Sequence, residues 1–510
     1  MRVILSGYAW LDADELTDQQ KANLRHKLTV YPSRTSEHDN KDPPPISLYA
    51  EDDERGLFGV PRRFYLENRR ATHEEIVNVS EGFRMKDFES LMRYEGEYAE
   101  QLVAIDVIIE KLKEFPHFGG TILKGGCGLG KTNIALSLAR RLGLRTLILV
   151  HKEFLMNQWR RRIEEFMPDA RVGIIRQGRC EFRDVDFAVA MLDSLGSRVD
   201  VYPSEMYDAF GLVVTDEVHR TGAATWAPIL PRFSAKYRVG LTATPRRKDD
   251  AEGVFFQHIG PIGYSARTRP VLPLLRKIVT DTNLRGKMGE GGKIKKASEL
   301  GRTEMVTQLS KVPERTRQIM EDVFQGVKRG RKVLVLSERI EHLKDMAGDL
   351  NSLLSQADLP FVPTIDFYVG EWFTGETDED GQPLMVKVGK GRNAKMRLKT
   401  KRRTEGELRE AESANVIFAT VQMVSEGLDI QALDVLVIGT PIGDIEQAAG
   451  RVRRRCKPSE DKCKRLCPWR AGVCQGKPQP IITDVIDEDV PQAKGKWRSR
   501  ARFYRQEGML

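Results

Sequence analysis

Apolar residues in this chain fall into short unbroken runs separated by longer stretches of helical spacing. Thr121-Ile122-Leu123, Arg145 to Val150, Val172 to Ile175, Phe187 to Met191, Leu212 to Thr215 and Val239 to Thr242 are runs of the first kind. A strand with no polar face is one covered on both sides of its sheet. Between these runs, Asn133 to Arg141 and His151 to Phe166 have the pattern of helices. Strands alternating with helices predict a doubly wound parallel sheet, whose ligands gather at the carboxyl ends of its strands. The alternation resumes with a helix from Glu314 to Lys328 and strands at Lys332–Ser337, Ala414–Thr420, Val435–Ile438 and Pro480–Asp487. The chain is therefore α/β, with two such patterns in tandem.

Residues 1–90 lack this rhythm. Asp14 to Leu28 suits one amphipathic helix, Pro43-Pro44-Pro45 breaks the chain, and Ile46 to Tyr65 supplies short strands. A small α+β accessory domain is expected there, available to protein partners. A helix from about Tyr98 to Phe115 then leads into residues 91–275, the first α/β domain. Residues 276–312, with Gly286, Gly289, Gly291, Gly292 and Gly301, read as a linker. Residues 313–490 form the second α/β domain and residues 491–510 a basic tail.

Composition narrows the partners. Lys and Arg number 82 against 73 acidic residues in 510, a formal charge of +9, which favours a polyanion. The N-terminal apolar run is too short for a signal peptide, and no stretch approaches the ~18 apolar residues of a membrane span. A soluble, intracellular (cytoplasmic) protein without a membrane partner is expected, nucleoid-associated in a bacterial or phage setting. Six cysteines are too few for a disulfide framework, but four lie between Cys456 and Cys474.

The candidate chemistry begins at Lys124-Gly125-Gly126-Cys127-Gly128-Leu129-Gly130-Lys131-Thr132, between a strand and a helix. Gly125, four residues, then Gly130-Lys131-Thr132 is the P-loop pattern. Gly125, Gly128 and Gly130 let main-chain N–H groups face a phosphate, Lys131 reaches the β- and γ-phosphates, and the Thr132 hydroxyl suits Mg²⁺. Gln101, upstream, is placed either to bond an adenine edge or simply to face solvent. The strand at 212–215 ends in Asp216-Glu217-Val218-His219; Asp216 suits Mg²⁺, and Glu217 suits the attacking water. Downstream, Arg451 and Arg454 lie one helical turn apart with Gln447 one turn earlier, so a guanidinium there can stabilise a transferred phosphoryl group.

These residues resemble the superfamily 2 helicases and translocases. Lys131-Thr132 is similar to motif I, Asp216 to His219 to a DExH motif II, and Leu241-Thr242-Ala243-Thr244-Pro245 to motif III. Leu149 to Trp159 resembles motif Ia, and Met191 to Leu195 the strand-to-helix element that follows it. Lys332 to Ser337 resembles motif IV, Ser425-Glu426-Gly427-Leu428-Asp429-Ile430 motif V, and Gln447 to Arg454 motif VI. The resemblance implies two RecA-like lobes with ATP and Mg²⁺ between them. It implies that Gly427 and Asp429 contact nucleotide, that His219, Thr242 and Thr244 couple nucleotide state to a bound strand, and that Gln158 and Ser194 touch that strand. The second-lobe motifs and the Val150 to Trp159 stretch are most similar to the branch holding XPB-type, UvsW-type and restriction-enzyme motors. That branch implies an ATP-dependent DNA helicase or translocase acting on duplex, forked or branched DNA in repair, recombination or replication. An RNA helicase, the motor subunit of a restriction or defence complex, and a binding protein with a degenerate ATPase are the alternatives.

Two features exceed a minimal motor. Residues 371–405 begin acidic and then carry nine Lys or Arg and no acid from Lys387 to Arg403. A hairpin arm around Leu384 to Val388 would bring Arg392, Lys395, Arg397 and Lys399 to a phosphate backbone, the alternative being a disordered charged loop. Cys456, Cys463, Cys467 and Cys474 are separated by six, three and six residues. Four thiolates so grouped suit a structural Zn²⁺, with an iron–sulfur cluster or unliganded thiols as the alternatives.

Overall fold

The computed structural model describes residues 1–34, 42–92, 94, 99–126, 129–197, 201–247, 249–266, 271–282, 284, 300–373, 376–377, 382, 385–388, 395–426, 428, 430, 432–453 and 477–510. The chain divides into two compact units, Met1–Thr268 and Arg269–Leu510.

The first unit carries two sheets. A five-stranded sheet runs in the order Ala50–Asp52, Leu57–Val60, Ala9–Asp12, Arg2–Leu5, Glu74–Val77, antiparallel except for its last pair. Alternation along these short strands turns Val3, Leu5, Ala9, Leu11, Phe58 and Val60 inward, where they meet Phe118, Ala227, Ala251 and Val254. The N-terminal α+β segment thus shares its core with the larger sheet behind it.

That sheet has eight strands, in the order Arg179–Cys180, Val172–Arg176, Phe187–Met191, Thr146–Val150, Leu212–Thr215, Tyr237–Thr242, Gly119–Lys124, Ile262–Ser265. All neighbours are parallel except the first pair. Its six inner strands are buried on both faces, which is why they read as unbroken apolar runs, while the edge strands Arg179–Cys180 and Ile262–Ser265 are partly exposed. The crossovers bring Tyr237–Thr242 between the P-loop strand and Leu212–Thr215, pairing Thr242 with Lys124 and Gly240 with Thr215. Three motif-bearing strands far apart in sequence therefore end side by side.

The second unit holds a six-stranded parallel sheet: Leu274–Thr280, Ile481–Asp487, Val435–Ile438, Val333–Ser337, Val416–Thr420, Ile365–Tyr368. Two expected boundaries need correcting. The linker expected from residue 276 begins inside a strand, because Leu274–Thr280 pairs along its whole length with Ile481–Asp487. The helix Arg302–Leu309 likewise buries Met305, Val306 and Leu309 against Val490 and Ala493; the glycine-rich residues 285–299 lie outside the described residues. The basic tail is the helix Pro491–Gln506, whose Arg500 is buried against Asp484 at 2.8 Å with Tyr504 donating to the same carboxylate at 2.7 Å. A second buried pair, Arg315–Asp487 at 2.6 Å, ties the helix Pro313–Lys328 to that strand. Paired burial of these charges makes both helices part of the core, the expected basic tail among them.

Within the 371–405 insertion, Glu371–Phe373 pairs antiparallel with Thr400–Arg402, and Met385–Val388 with Lys395–Leu398. Two RecA-like parallel sheets and an N-terminal α+β sheet are thus the architecture. No helix among the described residues is long and apolar enough to cross a membrane.

Candidate nucleotide site and motor core

The P-loop turns on Gly130, whose backbone conformation no side-chain-bearing residue adopts without strain, and on Gly125, where a side chain would press on Leu129. Gly130 sits at φ 79°, immediately before the helix Lys131–Leu142, and a Cβ there would lie 2.4 Å from Gln101 Nε2. At Gly125 a Cβ would lie 2.2 Å from Leu129 Cδ2, while its N–H donates to the Thr242 carbonyl at 2.9 Å. Lys131 folds back onto the loop, Nζ donating to the Gly125 carbonyl at 2.9 Å. Thr132 is half-buried in the first helical turn, and Gly128 lies outside the described residues.

Gln101 corrects an expectation. It is 3% exposed, and its Nε2 donates to the Leu129 carbonyl at 2.8 Å. The amide therefore braces the P-loop and is not the solvent-facing helix glutamine that was the alternative.

Asp216 follows its strand into a sharp turn, Glu217 taking φ 46°. Its carboxylate accepts from Trp159 Nε1 at 2.8 Å and from the Glu217 N–H at 3.0 Å. Burial, and next the neighbouring Glu217 charge, push the Asp216 carboxyl above the usual range; Trp159 and Lys131 act the other way. A bound divalent cation would reverse that balance. Glu217 Oε2 is buried without a hydrogen-bond partner, 3.4 Å from His219 Nδ1.

His219 in turn lies 3.1 Å from Thr242 Oγ1. That hydroxyl places its one proton on the Thr244 carbonyl at 2.9 Å and accepts the Thr244 N–H at 3.1 Å. By elimination the His219 proton sits on Nδ1, a tautomer assigned from its partners. Burial first, then Arg220, Arg247 and Lys131, hold the imidazole down at about 4, so it is neutral at pH 7. Arg247 donates to the His219 carbonyl and pairs with Asp249, and its guanidinium lies over Gly222, where a Cβ would meet its Cδ at 2.7 Å. Hydrogen bonds thus link P-loop Gly125 to Thr242 and Thr242 to His219, whose ring lies beside Glu217 without bonding it.

This set complements a magnesium-bound nucleoside triphosphate: a cradle closed by two glycines, a lysine over it, a buried carboxylate, and a second carboxylate with an unbonded oxygen. The hydrogen bond from Trp159, named in the sequence only as the end of the motif Ia stretch, to Asp216 and the part played by Arg247 escaped the sequence reading. Trp159 belongs to the stripe Leu155, Met156, Trp159, Ile163, which is indistinguishable from core packing in one dimension.

In the second unit, Gln447 and Arg451 lie four residues apart on the helix Glu446–Val452, both half-buried. Arg451 Nε is buried with no hydrogen-bond partner among the described residues, whereas Arg453 donates to Glu507 at 2.6 Å. Arg454, Gly427, Asp429 and the four cysteines Cys456, Cys463, Cys467 and Cys474 lie outside the described residues. Of the expected nucleic-acid contacts, Gln158 is half-buried on the helix Glu153–Phe166. Ser194 is a correction: it is 7% exposed and its hydroxyl accepts the Gln177 N–H at 3.1 Å, pinning a turn at positive φ. Lys399 pairs with Glu376 at 2.6 Å, Lys395 and Arg397 lie on the Lys395–Leu398 strand, and Arg392 is outside the described residues.

Residues 96–247 match the family model described as ResIII, "Type III restriction enzyme, res subunit". The chain is 25% identical over 496 residues, 96% of itself and 83% of the relative, to "Putative ATP-dependent RNA helicase L396" of Acanthamoeba polyphaga mimivirus. It is 29% identical over 203 residues, 40% of itself and 42% of the relative, to "DNA 3'-5' translocase XPB2" of Sulfurisphaera tokodaii. The crystal structure of T4 UvsW aligns over 99% of this chain and 97% of its own, at 14% identity and a TM-score of 0.36. The ordered motifs, the family-model match and the alignments with helicases together show a nucleic-acid-dependent ATPase of helicase type, similar to the superfamily 2 helicases.

Proposed function

We propose that this chain is an ATP-driven motor that translocates on or remodels duplex or branched DNA in repair, recombination or replication. The observation that carries the engine is the hydrogen-bonded link from the P-loop through Thr242 to His219, which sets the His219 ring 3.4 Å from the unbonded Glu217 oxygen. The choice of DNA rests on the resemblance of the second-lobe motifs to the XPB and UvsW branch and on the net charge of +9. RNA is the second reading, favoured by the name of the mimivirus relative that aligns over 96% of the chain.

In this reading Gly125, Gly128, Gly130 and Lys131 hold the triphosphate, with Gln101 bracing the loop. Thr132 and Asp216 would hold Mg²⁺, which when bound offsets phosphate charge. Glu217 orients a water and takes its proton through the oxygen left unbonded in the fold. Trp159 fixes the Asp216 carboxylate, so that Glu217 and not Asp216 is free for the water. His219 and Thr242 report the state of Glu217 to the P-loop and to Thr244. Arg451 and Arg454 stabilise charge on the transferred phosphoryl group, with Gln447 positioning the water and Gly427 and Asp429 contacting the nucleotide. Gln158 and the arm carrying Arg392, Lys395, Arg397 and Lys399 engage phosphates of the nucleic acid. Cys456, Cys463, Cys467 and Cys474 bind a structural Zn²⁺, for which metal analysis of the purified protein should give one zinc per chain; iron or no metal refutes it.

The test is steady-state ATP hydrolysis without nucleic acid and with single-stranded, duplex, forked and four-way DNA and RNA, against a Lys131→Ala control. Strong stimulation by duplex or branched DNA is expected. Stimulation by RNA alone overturns the DNA assignment, and hydrolysis indifferent to every nucleic acid overturns the motor.

A further inference from the structure

The N-terminal sheet meets the motor sheet at a buried, positively charged seam. The turn Ser6-Gly7-Tyr8 is pressed against Pro231, whose carbonyl oxygen would lie 1.7 Å from a Cβ at Gly7. Two guanidinium groups are buried here, Arg62 at 3% exposure and Arg238 at 1%. Arg62 donates to the carbonyls of Ser6, Ala235 (2.7 Å) and Ser234 (2.9 Å). Arg238 donates to those of His258 (2.9 Å), Gly7 (2.8 Å) and Phe233 (2.8 Å). No carboxylate among the described residues pairs with either group.

Arginine keeps its charge when buried, and an uncompensated buried charge is costly. Carbonyl dipoles offset part of that cost, but each guanidinium has five N–H donors and the three bonds above leave some unused. Arg238 Nε and His258 Nδ1 are both buried without a hydrogen-bond partner. Both arginines and His258 line one cavity of about 20 Å³, together with Arg63, Phe118 and the Gly119-Gly120 main chain. That is room for a single particle the size of a water molecule. Burial and then the two arginines hold His258 at about 3, so it is neutral at pH 7 and can present an N–H to the cavity. A water molecule would satisfy donors without balancing charge; a monatomic anion does both.

We infer that this cavity binds one small inorganic anion of chloride size, held by Arg62, Arg238 and His258, and that the anion ties the N-terminal sheet to the motor sheet. The site is independent of the nucleotide site, so its test does not depend on ATP hydrolysis. Crystals grown in sodium bromide should show an anomalous bromide peak in contact with both guanidinium groups. In gluconate at constant ionic strength, replacing gluconate by chloride should raise the midpoint of thermal unfolding as the logarithm of one plus the ratio of chloride concentration to its dissociation constant, flat well below that constant and rising steadily above it. At ten times the dissociation constant the unfolding constant should fall about tenfold. Arg62→Gln should remove this chloride-dependent rise. A cavity holding only water in the bromide crystals, a wild-type midpoint indifferent to chloride, or an unchanged response in Arg62→Gln each overturns the inference. Should Arg62→Gln not fold, the bromide map of the wild-type protein decides.

Discussion

Replacing Trp159 by phenylalanine removes one N–H from the Asp216 carboxylate and leaves nearly all of the packing in place. The lost bond is 2.8 Å long, and the indole lies 2% exposed in the core. A hydrogen bond to a charged group contributes about 1.5–3 kcal/mol, so the carboxylate becomes harder to ionise by roughly 1–2 pKa units. Asp216 already lies above its usual range through burial and Glu217, so the variant begins with a smaller ionised fraction at pH 7. Loss of an outer hydrogen bond to a metal-binding carboxylate weakens metal affinity about 10–100-fold. The expected result is a Mg²⁺ concentration for half-maximal ATP hydrolysis raised by that factor at pH 7, less so at pH 8.5, with thermal unfolding close to wild type. An unchanged Mg²⁺ requirement in a variant that melts normally would refute the role given to Trp159.

Other outcomes follow from the same geometry. Arg451→Ala should lower the rate of nucleic-acid-stimulated ATP hydrolysis on the order of 10³-fold while the melting midpoint holds, since its Nε bonds to nothing among the described residues; equal losses in rate and stability would mean a structural arginine. Gly130→Ala should abolish ATP binding and lower stability by about 1–2 kcal/mol, because φ is 79° and the Cβ meets Gln101; calorimetric titration with ATP and a denaturant melt read the two effects. Arg500→Met strands Asp484 in the second core and should cost about 3–5 kcal/mol in denaturant unfolding, a loss below 1 kcal/mol being incompatible with the buried pair. Burial foremost depresses His258 and His342 to about 3, well below the unfolded value near 6.5. The unfolded chain then binds more protons, so stability is complete above pH 6.5 and falls as pH drops toward 3. Each histidine should account for about 2 kcal/mol between pH 7.5 and pH 5; denaturant midpoints that stay flat over that range would contradict their burial.

The candidate site was legible where function forces unusual local residues, and less so where it depends on partners. Gly125, Gly130 and Lys131 announce a phosphate cradle because that spacing, between a strand and a helix, lets main-chain N–H groups and a lysine converge on an anion. Gln101 and Ser194 belong to equally recognisable segments, but both are buried and bonded to main-chain groups, a fact that depends on which loops pack over them. Arg62, Arg238 and His258 give no local signal at all, being 176 and 20 residues apart.

By itself the sequence determined the inner strands of both parallel sheets, since burial on two faces demands unbroken apolar runs, and with them the order of the motifs along the chain; the half-exposed edge strands Ile262–Ser265, Leu274–Thr280 and Ile365–Tyr368 were not legible in it. It did not determine the neighbours. Tyr237–Thr242 lies between the P-loop strand and the Asp216 strand because of the crossovers, and only this joins Gly125 to Thr242 and Thr242 to His219. Leu274–Thr280 finds its partner some two hundred residues on, at Ile481–Asp487. The basic C-terminal helix is core because Asp484 neutralises Arg500 inside it. Periodicity records how much of a residue is covered; which side chain or charge covers it is decided by contacts between distant segments, and these exist only in the folded chain.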